Sequence, residues 1–243
     1  MRLAEIPIEQ LSFSAYRLAV EGDTARKVPC DFLSLAHWYE AERFRAFEMA
    51  LFQEVLMSPS IREARKLGQK NRKYWRGDWL AVQVRALACG MVYAARCDAL
   101  SERWAGNAQD LARMLGSLEF PERLALAAAS EFTRQRQGKR IAFLGAPGAP
   151  AEVVGRRVNL VHKKAEGAWQ LAHWLGRHAS WIIHDWAVKN FIPITYFGEE
   201  QGRISTSLLS KFPEESDLVI IFEMRKSKCG AGSVHCGTGG RGT

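Results

Sequence analysis

The strongest constraint on the fold is a change in sequence pattern near Gly138. From about Asp31 to Glu131, apolar residues recur with the 3.6-residue period of amphipathic helices. After Gly138, short apolar runs of strand length alternate with stretches of helical composition. Since strands that alternate with helices form parallel sheets, we predict two domains: a mainly α domain over 1–135 and an α/β domain with a parallel sheet over 139–243.

Capping and breaking residues place the elements within each half. Ser58-Pro59-Ser60 ends a helical run that begins near Phe32, and Ser60 with Glu63 has capping-box spacing. In the first half we predict further helices ending at Gly68 and covering 79–104, 108–115 and 121–134. In the second half we predict strands at 139–144, 158–161, 192–197 and 217–222, and helices at 165–190 and 205–211.

Composition excludes several protein classes. The 243 residues are 47% hydrophobic and 25% charged, which excludes a disordered or low-complexity chain. The longest apolar run, Leu218–Phe222, is too short to span a membrane, and the N-terminus lacks a signal-peptide pattern. We therefore expect a soluble, cytoplasmic protein without a membrane partner.

The cysteines predict neither disulfides nor a metal site. Their number is odd, five, and their spacing is irregular, which is unlike a disulfide framework. Cys229, His235 and Cys236 supply at most three soft ligands, whereas structural zinc takes four. We expect no metal and no cofactor.

The positive charge is concentrated in one segment. The net charge is +8, and residues 62–76 contain seven basic residues and one acidic residue. Such a segment attracts phosphate, either in a nucleotide or in a nucleic acid. The alternative is an ordinary solvated helix face.

The segment Ser34–Phe44 places a histidine beside a carboxylate. His37, Glu40 and Phe44 recur at spacings of three and four, so a helix presents them near one face. A histidine–carboxylate pair suits acid–base chemistry or ribose binding. The alternative is an amphipathic helix with an aromatic core side.

This segment resembles the T-x-E-H-Y-x-Q-A-x-K-F signature of the NADAR (YbiA-like) domain family. The order downstream is also similar: Ser58-Pro59, then Ala64–Gly68, then Arg76-Gly77-Asp78-Trp79 at the start of a long helix. The resemblance covers roughly residues 13–104 and implies an N-glycosidase that cleaves a base or adduct from ribose in riboflavin intermediates or ADP-ribosylated targets.

The resemblance implies site residues and also shows departures. It implies a catalytic set of Glu40, His37 and Asp78. Ala36 stands where the motif has glutamate, and Glu40 stands where it has glutamine, so Glu40 would supply the carboxylate that stabilises an oxocarbenium-like state. Aromatic rings would stack the base and guanidinium groups would hold phosphate, which predicts a substrate-binding set: Trp38, Arg43, Arg72, Arg76 and Trp79.

Two elements of the second half resemble the YspA-like branch of the SLOG superfamily. Val161–Ala168 is similar to its H-G-G-A-x-G-A-D helix entry, and Asp217–Phe222 with Gly237–Thr243 is similar to its D-L-V-I-A-F strand leading to G-G-R-G-T. Lys163 and Lys164 replace the two glycines of the first element. The resemblance covers about 139–243 and implies a Rossmann-like, nucleotide-binding domain with these binding residues: His162, Lys163, Gly167, Gly239, Gly240, Gly242 and Thr243.

The sequence stops where a phosphate loop of that kind enters its helix. A parallel strand without its following helix leaves one apolar face uncovered. We therefore expect either that the protein continues past Thr243 or that a partner chain, such as a second copy in a homo-oligomer, supplies the cover.

Two functions from different classes follow. The first is an N-glycosidase-like hydrolase that acts on ADP-ribose-type or ribosylated-base substrates and is coupled to a nucleotide-binding domain. The alternative is a catalytically inactive nucleotide-sensing protein in phage defence or mobile-element conflict, which Ala36, Lys163 and Lys164 favour. The expected partner is a nucleotide or ADP-ribose-derived small molecule, and a third reading adds nucleic acid bound by residues 62–76.

Overall fold

The chain folds into two compact units whose main division falls between Arg134 and Gln135. The first unit comprises 1–17 and 29–134, and the second comprises 18–28 and 135–243. The computed structural model describes residues 13–21, 24–45, 48–97, 104–145, 150–174, 179–197, 216–225 and 233–239. The arrangement is an α-rich region together with an α/β region.

A two-stranded sheet precedes the helices. Its strands are β1 (Phe13–Glu21) and β2 (Thr24–Phe32), which the helical pattern of the first half does not predict. The helices that follow are α1 (Leu35–Glu42), α2 (Met49–Leu56), α3 (Ile61–Lys70), α4 (Trp79–Cys97), α5 (Ala108–Gly116) and α6 (Glu122–Gln137), with a 3₁₀ turn at Arg72–Tyr74.

Local sequence signals set most of these helix ends. The Ser60 hydroxyl accepts a hydrogen bond from the Glu63 backbone N–H, which confirms the predicted start of α3. Asn107 caps α5 in the same way through the N–H groups of Gln109 and Asp110. Helix α4 begins at Trp79 as predicted and is described to Cys97, and residues 98–103 of the predicted helix lie outside the described residues. The helical run after Phe32 is divided, since α1 ends at Glu42 and α2 begins at Met49.

Helix α1 lies at the centre of the first unit. It packs against α2, α3 and α4, and all eight of its residues are buried. Trp38 contacts the rings of Phe32 and Tyr93, and its indole N–H donates to the Ala86 carbonyl across to α4. Because all the residues of α1 are buried, its polar side chains need partners within the unit.

The α/β region is a five-stranded sheet in the order β5-β4-β3-β6-β7. Its strands are β3 (Lys139–Gly145), β4 (Trp169–Trp174), β5 (Ile194–Phe197), β6 (Leu218–Arg225) and β7 (Ser233–Gly239). The helices α7 (Ala151–Lys164) and α8 (Ala179–Lys189) connect β3 to β4 and β4 to β5. The first four strands of this order are parallel, and β7 pairs antiparallel with β6.

Three predictions for this region were wrong. Residues 158–161 are not a strand but lie in α7, where Val154, Val158 and Val161 are buried at helical spacing. Residues 165–190 are not one helix, since β4 occupies 169–174. Gly237–Gly239 are not in a loop that follows a parallel strand, because they pair with β6 in the antiparallel strand β7.

The remaining strand predictions agree with the structure. Strands β3 and β6 lie at the predicted positions, and β5 begins just after Pro193 at an edge of the sheet, where a missing backbone donor is tolerated. The predicted helix at 205–211 lies outside the described residues.

Candidate active site in the first unit

The first unit contains a cleft of about 620 Å³. Its wall is formed by α1, α3, α4 and the segment that joins α5 to α6. The lining side chains combine guanidinium, carboxyl, amide and aromatic groups: Tyr39, Glu40, Arg43, Arg65, Gln69, Gln83, Val84, Glu119, Phe120, Pro121, Arg123 and Leu124. A concave site with a few convergent polar groups is the usual form of a small-molecule site.

Glu40 is a buried carboxyl among the residues that line this cleft. Its residue is only 4% exposed, and its Oε2 lies 2.8 Å from Nη1 of Arg43. Burial raises the pKa of the Glu40 carboxyl to about 7, against the opposing effect of the positive charges of Arg43 and Arg65. The carboxyl therefore exchanges a proton near neutral pH, as a general acid–base group requires.

Arg43 is held among aromatic rings. Its guanidinium carbon lies 4.2 Å from the ring centroid of Trp75, 5.1 Å from that of Tyr39 and 5.7 Å from that of Trp79. These distances allow cation–π attraction, which is stronger when the cation is desolvated, as the 6% exposure of Arg43 indicates. The rings and Glu40 together fix the position of this positive charge.

A second arginine connects the cleft wall to its rim. The guanidinium of Arg65 on α3 donates to the Glu119 carboxylate and to the Leu118 carbonyl. Glu119 has a left-handed backbone with φ of 58°, an uncommon conformation outside glycine. Arg65 therefore ties α3 to the turn that carries Glu119 and Phe120 to the cleft.

Tyr39 and Gln83 join two walls of the cleft. The Tyr39 hydroxyl donates to Oε1 of Gln83 at 2.9 Å, and burial raises the pKa of the phenol. The Tyr39 ring also meets the edges of Trp79 and Phe120, with centroids 5.0 and 5.2 Å away. This wall is thus an aromatic surface with a fixed hydrogen-bonding group.

His37, one of the predicted catalytic residues, does not line the cleft. Its Nε2 lies 3.2 Å from the Ser58 carbonyl oxygen, and its Nδ1 lies 2.8 Å from the Ser34 hydroxyl. A carbonyl oxygen only accepts, so Nε2 carries the hydrogen. Burial lowers the pKa of His37, which keeps the ring neutral, with Nδ1 accepting from Ser34. In this position His37 connects the start of α1 to the α2–α3 junction.

Asp78 also lies apart from the cleft walls. Its carboxylate receives two hydrogen bonds from Arg76, at 2.5 and 2.8 Å, and its side chain is 51% exposed. These hydrogen bonds lower the pKa of Asp78, so it is a carboxylate at neutral pH. Arg76 is itself buried, and its backbone N–H donates to the Arg43 carbonyl.

The predicted aromatic and basic binding residues divide between core and surface. Trp38 is 1% exposed and Trp79 3% exposed, and both rings pack in the interior of the unit. Arg72 is exposed on the 3₁₀ turn, with its guanidinium carbon 5.5 Å from the Trp75 centroid. Glu40 and Arg43 are therefore the two predicted residues of this half that line the cleft.

Four of the predicted nucleotide-binding residues of the second half are described, and they lie at the amino edge of the parallel strands. His162 is in the last turn of α7, where its Nδ1 accepts from the Trp169 indole N–H at 3.2 Å. Lys163 is exposed beside it, and Gly167 forms the turn into β4 with φ of 77°. Gly239 pairs with Val219 near the start of β6. Gly240, Gly242 and Thr243 lie outside the described residues.

A different polar cluster lies at the carboxyl edge, where open α/β sheets bind ligands. His173 and Tyr196 are register partners near the ends of β4 and β5, and Nε2 of His184 lies 2.9 Å from the Tyr196 hydroxyl. Burial, assisted by His184, lowers the pKa of His173 to about 3, so its ring is neutral. The sequence analysis did not single out these residues, and their spacing within the chain shows no motif.

Several cleft residues were likewise missed by the sequence analysis. Arg65 belongs to the basic segment 62–76, whose composition indicates positive charge but does not indicate that Arg65 lines a cleft. Tyr39, Gln69, Gln83 and Arg123 carried no individual signal, because only the packing of α1, α3, α4 and α6 brings them together.

The described residues can be considered as metal ligands and as membrane-spanning helices. Among those residues, no group of three or more His, Cys, Asp or Glu side chains is arranged to hold a metal ion. Helix α4 is long and apolar enough to cross a membrane, but residues 86–92 are buried in the first unit, and core helices meet the same criterion.

No protein-family model, curated protein or solved structure matches this chain.

Proposed function

We propose that the protein is an N-glycosidase-like hydrolase with a NADAR-like first domain that acts on ADP-ribose-type or ribosylated-base substrates. The observation that carries this proposal is Glu40, a buried carboxyl that lines the cleft. Its pKa of about 7 suits proton transfer at neutral pH. The resemblance of the first half of the sequence to a family of N-glycosidases gives the reaction class.

In the proposed reaction, Glu40 acts in its protonated form. It donates its proton to the leaving nitrogen while the bond between that nitrogen and the ribose C1′ breaks and its electron pair stays with the base. Water attacks the resulting oxocarbenium-like carbon and loses a proton to the Glu40 carboxylate. The products are the free base and the free sugar hydroxyl, and Glu40 returns to its protonated state.

The walls of the cleft suit an anionic, partly aromatic substrate. Arg43, Arg65 and Arg123 supply positive charge, and guanidinium groups bind phosphate oxygens in pairs. Tyr39 and Phe120 supply aromatic surface against which a base can stack. The cleft volume of about 620 Å³ lies within the usual range for small-molecule sites, about 300–1,000 Å³.

For the second domain we propose a SLOG-like, Rossmann-like nucleotide-binding role. Strands β4 and β5 lie on one side of β3, and β6, which follows β5 in the chain, pairs with the other side of β3. The strand order therefore reverses between β3 and β6. Ligands of open α/β sheets bind at the carboxyl edge of such a switch point. This arrangement favours a ligand at that edge over one at the amino edge, where Gly167 and Gly239 lie.

The test is to incubate the full chain with ADP-ribosylated nucleobase and protein substrates and to measure released base and sugar by chromatography. Wild type is expected to release product, and Glu40→Gln is expected to lose that release while still binding ADP-ribose by calorimetry. Glu42→Gln is the matched control, because Glu42 is an equally buried carboxyl of α1 that does not line the cleft.

The alternative, a catalytically inactive nucleotide-sensing protein, is favoured by Ala36. The motif glutamate is absent at this position, and Ala36 is only 1% exposed. If wild type releases no product from any of these substrates but binds nucleotide by calorimetry, the sensor function replaces the hydrolase.

Nucleic acid is a second proposed partner, and the exposed cations of α3 and the 3₁₀ turn favour it: Arg62, Lys66, Lys70, Arg72 and Lys73. Phosphate contacts of this kind make affinity fall steeply with salt concentration. Measuring DNA binding against salt for wild type and for a variant with Arg72 and Lys73 neutralised tests it: a reduced salt slope supports the contact, and an unchanged slope excludes it.

A further inference from the structure

We propose that Gly68 and Trp75 are positioning residues that seat the Glu40 carboxyl against Arg43. The inference concerns the geometry of Glu40 itself, and its consequence for rate rests on the proposed hydrolase function. Neither residue touches the reacting atoms in the mechanism above, so both act through Glu40.

The four residues form a closed circuit of contacts. The Trp75 indole N–H donates to the Gly68 carbonyl at 2.9 Å, and the Trp75 ring lies 4.2 Å from the Arg43 guanidinium carbon. Arg43 Nη1 lies 2.8 Å from Glu40 Oε2. That same oxygen occupies the space that a Cβ of residue 68 would need, which completes the circuit from α3 back to α1.

The circuit explains why residue 68 is a glycine. A Cβ at this position would fall on Glu40 Oε2, well inside the distance of real Cβ contacts, and 3.5 Å from Arg43 Nη1. The backbone does not require glycine, because residue 68 lies within α3, where glycine costs about 1 kcal/mol relative to alanine. Helix propensity therefore disfavours Gly68, and the fit of Glu40 favours it.

Displacing Oε2 changes the electrostatics of Glu40. The charged groups that face the carboxyl are Arg43 on α1 and Arg65 on α3, with Glu119 and Arg123 on the wall of the same cleft. A longer contact with Arg43 weakens the attraction that favours the carboxylate, while burial still favours the neutral acid. Lengthening it by about 1 Å raises the pKa by roughly one unit at an effective dielectric constant of about 20.

The experiment is a pH titration of the Glu40 carboxyl in the full chain, by NMR of ¹³C-labelled glutamate, with the Glu40 signal assigned by its loss in Glu40→Gln. Gly68→Ala is expected to raise that pKa by about one unit. Gly155→Ala is the matched control, because Gly155 also lies inside a helix and a Cβ there meets nothing within 4 Å. The control is expected to leave the Glu40 pKa unchanged.

Trp75→Phe provides an independent variant if Gly68→Ala does not fold. It keeps an aromatic ring near Arg43 and removes the indole donor to Gly68, so a smaller upward shift of the Glu40 pKa is expected. A Glu40 pKa equal to that of wild type in the folded Gly68→Ala protein, or in Trp75→Phe where Gly68→Ala does not fold, overturns the proposal.

The titration separates this inference from the proposed function. If wild type hydrolyses nothing but the Glu40 pKa shifts as described, the positioning role stands and the hydrolase function fails. If wild type is active, the midpoint of its pH–rate profile is expected to rise in Gly68→Ala together with the titration.

Discussion

Two glutamate–arginine pairs of the same spacing flank the end of α1, and they differ in what surrounds them. Glu40 pairs with Arg43 at 2.8 Å and lines the cleft, whereas Glu42 pairs with Arg45 at 2.9 Å in the interior. Burial raises the pKa of both carboxyls to about 7. A shifted pKa alone therefore indicates burial, and only access from a cleft distinguishes a candidate acid from a structural one.

The two arginines resemble each other as closely as the glutamates do. Arg43 lies over Trp75, and Arg45 lies about 5 Å from the rings of Trp38 and Phe52. The difference lies in the neighbours of the two glutamates. Glu40 has Gly68 and Arg65 of α3 beside it. Glu42 is 0% exposed and lies close to Arg76 and the buried Cys89. The Glu40–Arg43 pair thus lines the cleft, whereas Glu42 of the other pair is fully buried in the core.

The largest expected effect that separates the pairs is on the pH dependence of hydrolysis. Because Glu40 acts as a protonated acid in the proposed reaction, kcat/KM is expected to fall tenfold per pH unit above about 7, or about 100-fold by pH 9. Glu42→Gln is expected to keep this alkaline limb of the pH–rate profile, the fall of kcat/KM above about pH 7. Glu40→Gln is expected to lose the limb together with most of the activity. A limb that persists in Glu40→Gln, or disappears in Glu42→Gln, would contradict the assignment.

The next effect concerns the free energy of unfolding, which is expected to change more on substitution of Glu42 than on substitution of Glu40. The pKa of Glu42 in the folded protein is above its unfolded value of 4.5. The contribution of this carboxyl to the free energy of unfolding is therefore fully present below pH 4.5 and is lost as pH rises through about 7. Glu42→Gln imitates the neutral acid and is expected to stabilise the protein at pH 8 by about 1–3 kcal/mol.

Urea and thermal unfolding at pH 4, 6 and 8 measure this difference. The stabilisation by Glu42→Gln should be largest at pH 8 and should vanish at pH 4. Glu40→Gln, whose carboxyl borders the cleft, is expected to show a smaller change of the same sign. Destabilisation by Glu42→Gln at pH 8 would show that the ion pair with Arg45 outweighs the burial of its charge.

A smaller effect is expected from Arg65, the arginine of α3 that lines the cleft beside Glu40. Arg65→Gln removes a guanidinium from the cleft and should raise KM for an ADP-ribosyl substrate about tenfold, since hydrogen bonds to charged groups contribute about 1.5–3 kcal/mol. Arg62→Gln is the control on the same helix, because Arg62 is exposed and does not line the cleft. Equal effects of the two substitutions on KM would argue for a general charge effect.

The smallest effect is expected at Asp78, the carboxylate outside both pairs. Asp78→Asn keeps an oxygen that accepts from Arg76, so kcat/KM should change by no more than about threefold, the scale of a surface substitution. A loss comparable to that of Glu40→Gln, with an unchanged unfolding midpoint, would place Asp78 in the chemistry.

Local signals predicted the first unit better than the second. The Ser60–Glu63 cap acts within one helical turn, so the sequence alone places the start of α3. The apolar run at 158–161 was misread because four residues do not distinguish a strand from one face of a helix, and the longer pattern that includes Val154 shows the helical period. The strand at Trp169–Trp174 was missed because the helix predicted over 165–190 includes these residues.

For the candidate site, the sequence alone determined the residue types and their order on α1. The spacing of Glu40 and Arg43 makes them neighbours on one helix, which is a local property. It did not determine that Glu40 borders a cleft while Glu42 does not. Nor did it determine that the His37 ring is hydrogen-bonded to Ser34 and Ser58, or that Gly68 leaves room for the Glu40 carboxyl. The tertiary structure decided these points, because burial, and with it proton affinity and access, depends on which helix packs against each face of α1.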